Sequence, residues 1–402
     1  MTPIDLGHHG DREVQPGLDD FAVNVAVAGP PAWLRRELES ALDGVARYPD
    51  VTPAVYALTR MHGCPADCVL VTNGAAEAFT LIARARRWRK PLVVHPQFTE
   101  PESALQANGH VVTRLILQQG NGLPGDGLHG DGLQGDGSQG NGFQGHGLNS
   151  FALDPALVPE DADLVVVGNP TNPTSRLHPR ASILALIRPG RLVVVDEAFM
   201  DVVRDERDSV LDDAVVREGL LVIRSLTKTF GLAGVRAGYL VGGSEVIAEC
   251  ALTQPHWSVN SLAIAAVVLC AGAQGREHTR AVSRDMSLNL DHLVAGLTRA
   301  GLEVVPEPSG PFVLVHHRHA ALLREGLRRR GFALRRGDTF PGLGPQWLRV
   351  AAREPARTDA LIAALAQELA AIDRDGKLER VATDHDSKHD RAGLAQEGED
   401  LE

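Results

Sequence analysis

Short apolar runs recur along the chain and alternate with stretches of helical periodicity. Six runs are unbroken and rich in branched side chains: Val69–Val71, Leu92–Val94, Leu164–Val167, Leu192–Val195, Leu221–Ile223 and Tyr239–Val241. Unbroken apolar runs are typical of strands that are buried on both faces. Strands that alternate with helices form a mostly parallel sheet covered by helical layers. The pattern therefore predicts an α/β fold with a mostly parallel sheet.

Polar clusters follow several of these runs directly. Asn73-Gly74-Ala75-Ala76 follows the first run, Asp196 ends the fourth, and Ser225-Leu226-Thr227-Lys228 follows the fifth. Open α/β sheets bind their ligands at the carboxyl ends of the strands. We therefore expect these clusters to meet at one site.

The sequence outside these strands predicts a second, smaller domain. We expect residues 1–45 to join a small α+β domain formed by residues 265–375, and residues 46–264 to form the large domain. A last helix is predicted over Asp359–Ile372, with Leu361, Leu365, Leu369 and Ile372 on one stripe.

Two segments lack the composition of a packed core. Residues 118–150 contain six glycine-rich pentads, which predict a flexible insertion in the large domain. Residues 376–402 are charged and have almost no apolar periodicity, so we expect a disordered tail.

Charge and composition exclude several classes of function. A net charge of −11 does not suggest a nucleic-acid or membrane partner. The N-terminus lacks the pattern of a signal peptide, and the longest apolar run, Leu262–Ala273, is too short to span a bilayer. Cys64 and Cys68 have no second pair of metal ligands at suitable spacing, so we expect no metal site. These features favour a cytoplasmic enzyme.

Lys228 is the residue with the clearest chemistry. It follows an apolar run and lies among hydroxyls and glycines, with Arg236 eight residues further on. A desolvated lysine with a shifted pKa forms Schiff bases with carbonyl cofactors, and hydroxyls with an arginine suit a phosphate. The segment therefore indicates pyridoxal 5'-phosphate (PLP) as the cofactor.

Other clusters meet the remaining requirements of PLP. The strand-to-helix turn at Asn73–Ala76 would expose backbone N–H groups to the phosphate, beside Ser225 and Thr227. Asp196 would keep the pyridine nitrogen protonated, which makes the ring an electron sink. Phe98 is available to cover the ring face.

Several motifs together resemble one enzyme family. They are the Lys228 segment, Arg47-Tyr48-Pro49-Asp50, Thr171-Asn172-Pro173-Thr174, Asp196-Glu197-Ala198-Phe199, Trp257-Ser258-Val259-Asn260, Phe340-Pro341-Gly342-Leu343 and Leu348-Arg349-Val350-Ala351. Over about residues 8–372 the chain resembles the fold type I PLP enzymes of the aspartate aminotransferase superfamily. Within it, the chain is similar to the histidinol-phosphate aminotransferase group and, more closely, to the L-threonine-O-3-phosphate decarboxylases of cobalamin biosynthesis.

The resemblance implies a role for each matching residue. Lys228 carries the cofactor, Asp196 pairs with the ring nitrogen, Asn172 bonds the ring 3-oxygen and Phe98 stacks on the ring. The phosphate is held by Gly74, Ala75, Ser225, Thr227 and Arg236. Arg349 binds the carboxylate of the substrate, and Arg335 binds the phosphate or carboxylate of the substrate. The other implied substrate contacts are His8, His9, Asn24 and Asn172. The resemblance also implies a homodimer.

Three departures from the family pattern bear on function. Phe199 stands where the aminotransferases commonly have a tyrosine, which favours a decarboxylase. Asn24-Val25-Ala26-Val27 lacks the usual Asn-Pro-x-Gly, and Thr174-Ser175 replaces Thr-Gly.

Three functions remain open from the sequence. The first is decarboxylation of O-phospho-L-threonine to 1-amino-2-propanol phosphate in cobalamin biosynthesis. The second is amino transfer from a phosphorylated substrate such as histidinol phosphate. The third is PLP binding with little catalysis, which no DNA-binding helix or basic patch supports.

Overall fold

Two β-sheets organise the chain in a computed structural model that describes residues 5–117 and 151–374. The predictions for the insertion 118–150 and the tail 376–402 lie outside these ranges. Among the described residues, no helix combines the length and apolar composition needed to cross a membrane.

The larger sheet has seven strands in the order β2-β8-β7-β6-β5-β3-β4. They are β2 (Val69–Thr72), β3 (Pro91–His95), β4 (Thr113–Ile116), β5 (Leu164–Gly168), β6 (Leu192–Asp196), β7 (Leu220–Ser225) and β8 (Gly238–Gly242). Only β8 pairs antiparallel with its neighbours; the pairs from β7 to β4 are parallel. The predicted mostly parallel sheet is therefore confirmed.

Helices cover both faces of this sheet. They are α1 (Ala32–Ala41), α2 (Thr52–His62), α3 (Ala75–Ala85), α4 (Glu100–Ala107), α5 (Arg180–Leu184), α6 (Leu211–Val216), α7 (Ser244–Thr253) and α8 (Ser261–Ala271). Along β6, Val193 and Val195 pack in one apolar core, while Val194 packs in the core on the opposite face. Successive side chains of a strand point to opposite faces, so two covered faces require an unbroken apolar run.

The edge strand β4 was not predicted from the sequence. Its first two residues, Thr113 and Arg114, are exposed. An edge strand with one solvent-exposed face does not need a continuous apolar run. The unbroken apolar run that is typical of the inner strands is therefore missing in β4.

The smaller sheet has five strands in the order β1-β11-β12-β10-β9. They are β1 (Asp19–Phe21), β9 (Glu303–Val304), β10 (Phe312–His316), β11 (Phe332–Arg336) and β12 (Trp347–Ala351), accompanied by α9 (Ala273–Arg299) and α10 (Ala320–Arg329). The N-terminal strand β1 pairs parallel with β11, which brings the start of the chain beside its C-terminal part.

The predicted last helix is present and starts earlier than expected, because residues 355–374 are helical. Leu361 and Leu365 are buried in the core of the smaller sheet, and Leu369 and Ile372 pack against that core. The predicted apolar stripe is therefore confirmed.

Candidate active site

A cavity of about 390 Å³ lies where the large sheet faces the small one. Its lining includes the predicted residues His9, Asn24, Ala75, Phe98, Asn172, Asp196, Ser225, Thr227, Lys228, Arg236, Arg335 and Arg349. Of the predicted site residues, only Gly74 and His8 are absent from the lining. The fold thus brings together residues from both ends of the chain.

Each sheet contributes a different chemistry to the cavity. The carboxyl ends of β6 and β7 supply Asp196 and Ser225, and the turn after β7 supplies Lys228. The small sheet supplies Arg335 from β11 and Arg349 from β12, which are direct partners across the antiparallel pair. Directly opposite residues share one face of a sheet, so both guanidinium groups reach the same cavity.

The charged groups of the cavity shift one another's proton affinities. Burial lowers the pKa of Lys228 to about 8, and the positive charges of Arg349 and Arg236 add to this, against Asp196 and Asp11. Burial raises the pKa of Asp196 to about 6, while the Ala198 N–H, donating at 3.1 Å, works in the opposite direction. At neutral pH Asp196 is therefore mostly ionised, and Lys228 has a larger neutral fraction than an exposed lysine.

The turn before α3 has the shape and the donors that a phosphate needs. Gly74 has φ of 83°, and a Cβ there would lie 2.6 Å from Nη2 of Arg236, so only glycine permits the approach of this arginine. Within residues 5–117 and 151–374, no side chain caps the first turn of α3, which leaves its N–H groups for a ligand. Ser225 Oγ lies 2.8 Å from Thr227 Oγ1 beside them. The residues therefore fit the PLP phosphate, and Gly74 acts by leaving space.

Asn172 and Arg349 are bonded to each other. Nη1 of Arg349 donates to Oδ1 of Asn172 at 2.5 Å, and Nη2 donates to the Ala22 carbonyl. Since the amide oxygen is used, Nδ2 of Asn172 is left to donate to an acceptor such as the ring 3-oxygen. Nε of Arg349 is buried without a partner among the described residues. Burial, with the charges of Arg335 and Arg353, lowers the pKa of Arg349 to about 9.

Aromatic rings line the remaining walls. Phe98 lines the cavity, and its ring centroid lies 5.3 Å from that of His9. Its place against the cofactor ring stays a prediction. Phe199 also lines the cavity and packs edge-on against Phe312 at 5.1 Å. Phe199 brings no hydroxyl to the position where a tyrosine would donate a hydrogen bond.

His8 has a different environment from that of His9. Its Nε2 lies 3.0 Å from Oε1 of the buried Glu13, and its carbonyl accepts a hydrogen bond from Nη2 of Arg335 at 2.7 Å. Sequence reasoning missed Glu13, because an acid in the polar run Asp11-Arg12-Glu13 resembles a solvated turn. Asp11 and Phe340, which line the cavity, were also missed.

A buried ionic network lies behind Asp196. Arg224 is 2% exposed, and it contacts Glu197 at 2.9 Å, Asp201 at 3.1 Å and Glu206 at 2.6 Å. Thr229, the neighbour of Lys228, donates to Asp201 at 3.3 Å. The network therefore ties the loop after Asp196 to the loop that carries Lys228. Removing one partner of such a buried cluster is costly, since it leaves an uncompensated charge.

Comparison with known proteins agrees with this architecture. Residues 143–369 match the family described as aminotransferase class I and II. The chain is 41% identical over 363 residues to a histidinol-phosphate aminotransferase of Mycobacterium tuberculosis strain H37Rv, covering 90% of each chain. It is 29% identical over 365 residues to the threonine-phosphate decarboxylase of Salmonella typhimurium, covering 88% of this chain and 92% of the relative.

The fold has a solved counterpart. The histidinol-phosphate aminotransferase of Sinorhizobium meliloti, solved in complex with pyridoxal-5'-phosphate, matches with a TM-score of 0.73. That match has 18% sequence identity and covers 92% of this chain and 98% of that one. The likeness confirms the predicted fold.

We expect Lys228 to be the residue that bonds the cofactor. After PLP loading and borohydride reduction, mass spectrometry should find the added mass on the peptide that contains Lys228. Lys228→Ala should lose this adduct and the absorbance of the bound cofactor. Lys90→Ala is the control, because Lys90 is exposed and pairs with Asp161 on the surface. An adduct that persists in Lys228→Ala would contradict the assignment.

The depressed pKa of Lys228 predicts how cofactor attachment depends on pH. Only the neutral amine attacks a carbonyl, so the attachment rate to the apoprotein should rise with pH and level off above about 8. An exposed lysine would level off only above about 10.4. Stopped-flow absorbance measures the rate, and N-acetyl-lysine with the same PLP corrects for titration of the cofactor. A rate that is still rising with the same slope near pH 10 would show that Lys228 is not desolvated.

Proposed function

Because this chain belongs to the aminotransferase class I and II family and is a PLP-dependent enzyme, we propose that it transfers the amino group of a phosphorylated substrate, such as histidinol phosphate, to a keto acid. The sequence favours decarboxylation, because it resembles the L-threonine-O-3-phosphate decarboxylases more closely and has Phe199 in place of a tyrosine. The comparisons favour its alternative, since the 41% relative carries the name histidinol-phosphate aminotransferase and the decarboxylase relatives are 27–29% identical.

One structural observation carries the proposal. Arg335 and Arg349, both buried, are direct partners on one sheet face and line the same cavity as Lys228 and Asp196. A guanidinium binds carboxylate and phosphate through paired N–H donors. An aminotransferase of this kind binds a phosphorylated amine and a dicarboxylic keto acid in turn, and two adjacent guanidinium groups suit the anionic ends of both.

The residues of the chain have separate tasks in this reaction. When bound, PLP supplies a carbonyl that bonds the substrate amine and a pyridinium ring that accepts the electrons released at Cα. Asp196 holds the proton on the ring nitrogen, and Asn172 Nδ2 orients the ring oxygen. Nζ of Lys228 would accept the proton from Cα of the substrate and would donate it to the carbon that carried the carbonyl of PLP. The pKa of Lys228, about 8, permits both transfers near neutrality. Arg335 and Arg349 orient the substrate.

A second candidate is the decarboxylation predicted from the sequence, and Phe199 is the observation that favours it. The bond perpendicular to the cofactor ring is the one that breaks, so the orientation about Cα–N selects between carboxylate and proton loss. The aminotransferases commonly have a tyrosine at this position. Phe199 has no hydroxyl there, and its ring packs edge-on against Phe312 beside the site of the reaction.

We expect the loaded enzyme to form glutamate from 2-oxoglutarate when histidinol phosphate is the amino donor. With O-phospho-L-threonine and no keto acid, we expect no carbon dioxide above the level of Lys228→Ala. Coupled detection of glutamate and trapping of carbon dioxide measure the two products. Carbon dioxide release without a keto acid would establish the decarboxylase instead, and inactivity in both assays would favour the binding protein.

We also propose that the enzyme acts as a homodimer. Exposed apolar side chains concentrate between residues 42 and 56, and Tyr48, which is 77% exposed, stacks on Trp257, which is 61% exposed, at 4.5 Å. Exposed apolar side chains that lie close together are typical of an interaction site. A second copy of the chain is the partner that the family resemblance implies.

Charge placed on this surface should break the dimer. We expect Tyr56→Glu, which puts a carboxylate on an exposed residue of α2, to sediment as a monomer while the wild type sediments as a dimer. Leu322→Glu is the control, because Leu322 is an exposed apolar residue of α10, away from this segment. Analytical ultracentrifugation decides, and a wild type that is monomeric at micromolar concentration would refute the proposal.

A further inference from the structure

Glu13 is a buried carboxylate that lies just outside the cavity lining. It ends the short 3-10 helix Gly10–Glu13 and is 2% exposed. Three side chains contact its carboxylate: the Arg335 guanidinium at 3.5 Å, the His8 imidazole at 3.0 Å, and the Arg324 guanidinium, which donates through Nη2. A carboxylate with such partners is ionised, and its charge compensates guanidinium groups that are themselves largely removed from water.

Helix α10 holds Glu13 by its backbone as well. Nη1 of Arg328 donates to the Glu13 carbonyl at 2.7 Å, and Arg324 and Arg328 lie one turn apart on α10. Burial by itself would raise the pKa of Glu13, but hydrogen bonds from Arg324 and His8 and the charges of Arg324 and Arg335 hold that pKa below its ordinary value. The position and the charge of Glu13 are therefore both determined by its surroundings.

Two residues of the N-terminal segment, His8 and Glu13, contact the Arg335 guanidinium. It is 2% exposed and lines the cavity, with Nη1 directed to Glu13 and Nη2 donating to the His8 carbonyl. Its guanidinium also lies over the Phe340 ring at 4.9 Å. Arg335 thus has two acceptors, the Glu13 carboxylate and the His8 carbonyl, and only the carboxylate carries a negative charge that favours the buried guanidinium.

The geometry points to Glu13 as the positioning residue of Arg335, which holds the guanidinium in the plane that binds the anionic group of the substrate. We base the identity of that anion, a phosphate, on the proposed function. The pairing itself is independent of which phosphorylated substrate the enzyme uses.

The direction of the effect follows from the charges. In Glu13→Gln the side chain keeps its shape, but Arg324 and Arg335 lose the negative charge between them and repel each other. The Arg335 guanidinium then leaves the orientation that a paired contact with phosphate requires. Removing the charge of Glu13 also makes the potential at the site more positive, which by itself favours an anion. We expect the lost orientation of the Arg335 guanidinium to be the larger effect, so that anion binding weakens.

The test measures phosphate binding to the PLP-loaded enzyme, in which the cofactor occupies its own phosphate site. Titration calorimetry gives Kd for inorganic phosphate in the wild type, Glu13→Gln, Arg335→Gln and the double variant. We expect Glu13→Gln to weaken binding about tenfold and to add less than about twofold in the Arg335→Gln background. A full tenfold loss in that background, or no loss from Arg335→Gln alone, would overturn the inference.

Steady-state kinetics add a second readout. With histidinol phosphate, Glu13→Gln should raise KM by about tenfold and change kcat by less than about threefold, because the residue acts on binding of the anion. Glu13→Asp, which keeps the charge, should recover part of the loss. Unchanged KM and phosphate affinity in Glu13→Gln would overturn the inference.

Glu368→Gln is the matched control for a purely structural role. Glu368 is 8% exposed and pairs with Arg330 at the end of α10, but it does not line the cavity. It should lower Tm and leave phosphate affinity unchanged. If Glu13→Gln lowers Tm and leaves phosphate affinity unchanged, then Glu13 has only a structural role, and the inference is overturned.

The outcomes separate this inference from the proposed function. A wild type that fails to aminate 2-oxoglutarate from histidinol phosphate refutes the function. The phosphate titrations still decide whether Glu13 acts through Arg335.

Discussion

Positive charge concentrated in one cavity is the constraint on which the rest of this structure depends. Lys228, Arg236, Arg335 and Arg349 all line it, and their repulsion adds to burial in lowering the pKa of Lys228 and of Arg349. Such a group of cations is tolerated only where anions complete it. Asp196 supplies one negative charge in the cavity and Glu13 supplies another beside Arg335. The phosphate of the cofactor and the anionic ends of the substrates suit the remaining positive charge. The site is thus built for anionic ligands although the whole chain carries a net charge of −11.

The N-terminal segment belongs to this site as much as the sheets do. The Ala22 carbonyl accepts from Arg349, the His8 carbonyl accepts from Arg335, and Arg353 donates to the Val25 carbonyl at 3.2 Å. Two arginines of the small sheet and Arg353, which follows β12, therefore hold the backbone of the segment that carries His9 and Asn24 into the cavity. Of these guanidinium groups, those of Arg335 and Arg349 also line the cavity, so they contact both the N-terminal backbone and the site.

Much of the fold could be predicted because its inner strands are buried on both faces. That burial requires unbroken apolar runs such as Leu192–Val195, which are visible in the sequence. The exposed edge strand β4 has no such requirement and was missed. The cofactor site could be predicted for a related reason, since Asp196 and Lys228 lie at ends of predicted strands that a parallel sheet brings to one edge.

The inner strands of the large sheet, and Lys228 and Asp196 at strand ends, could be predicted because they follow from local periodicity and residue type. The pairing of charged groups could not be predicted from the sequence. Glu13 lies 322 positions from Arg335, and Asn172 lies 177 positions from Arg349, and neither spacing carries a local signal. Side-chain contacts between distant segments depend on how two sheets face each other, and that arrangement arises from packing of the whole chain.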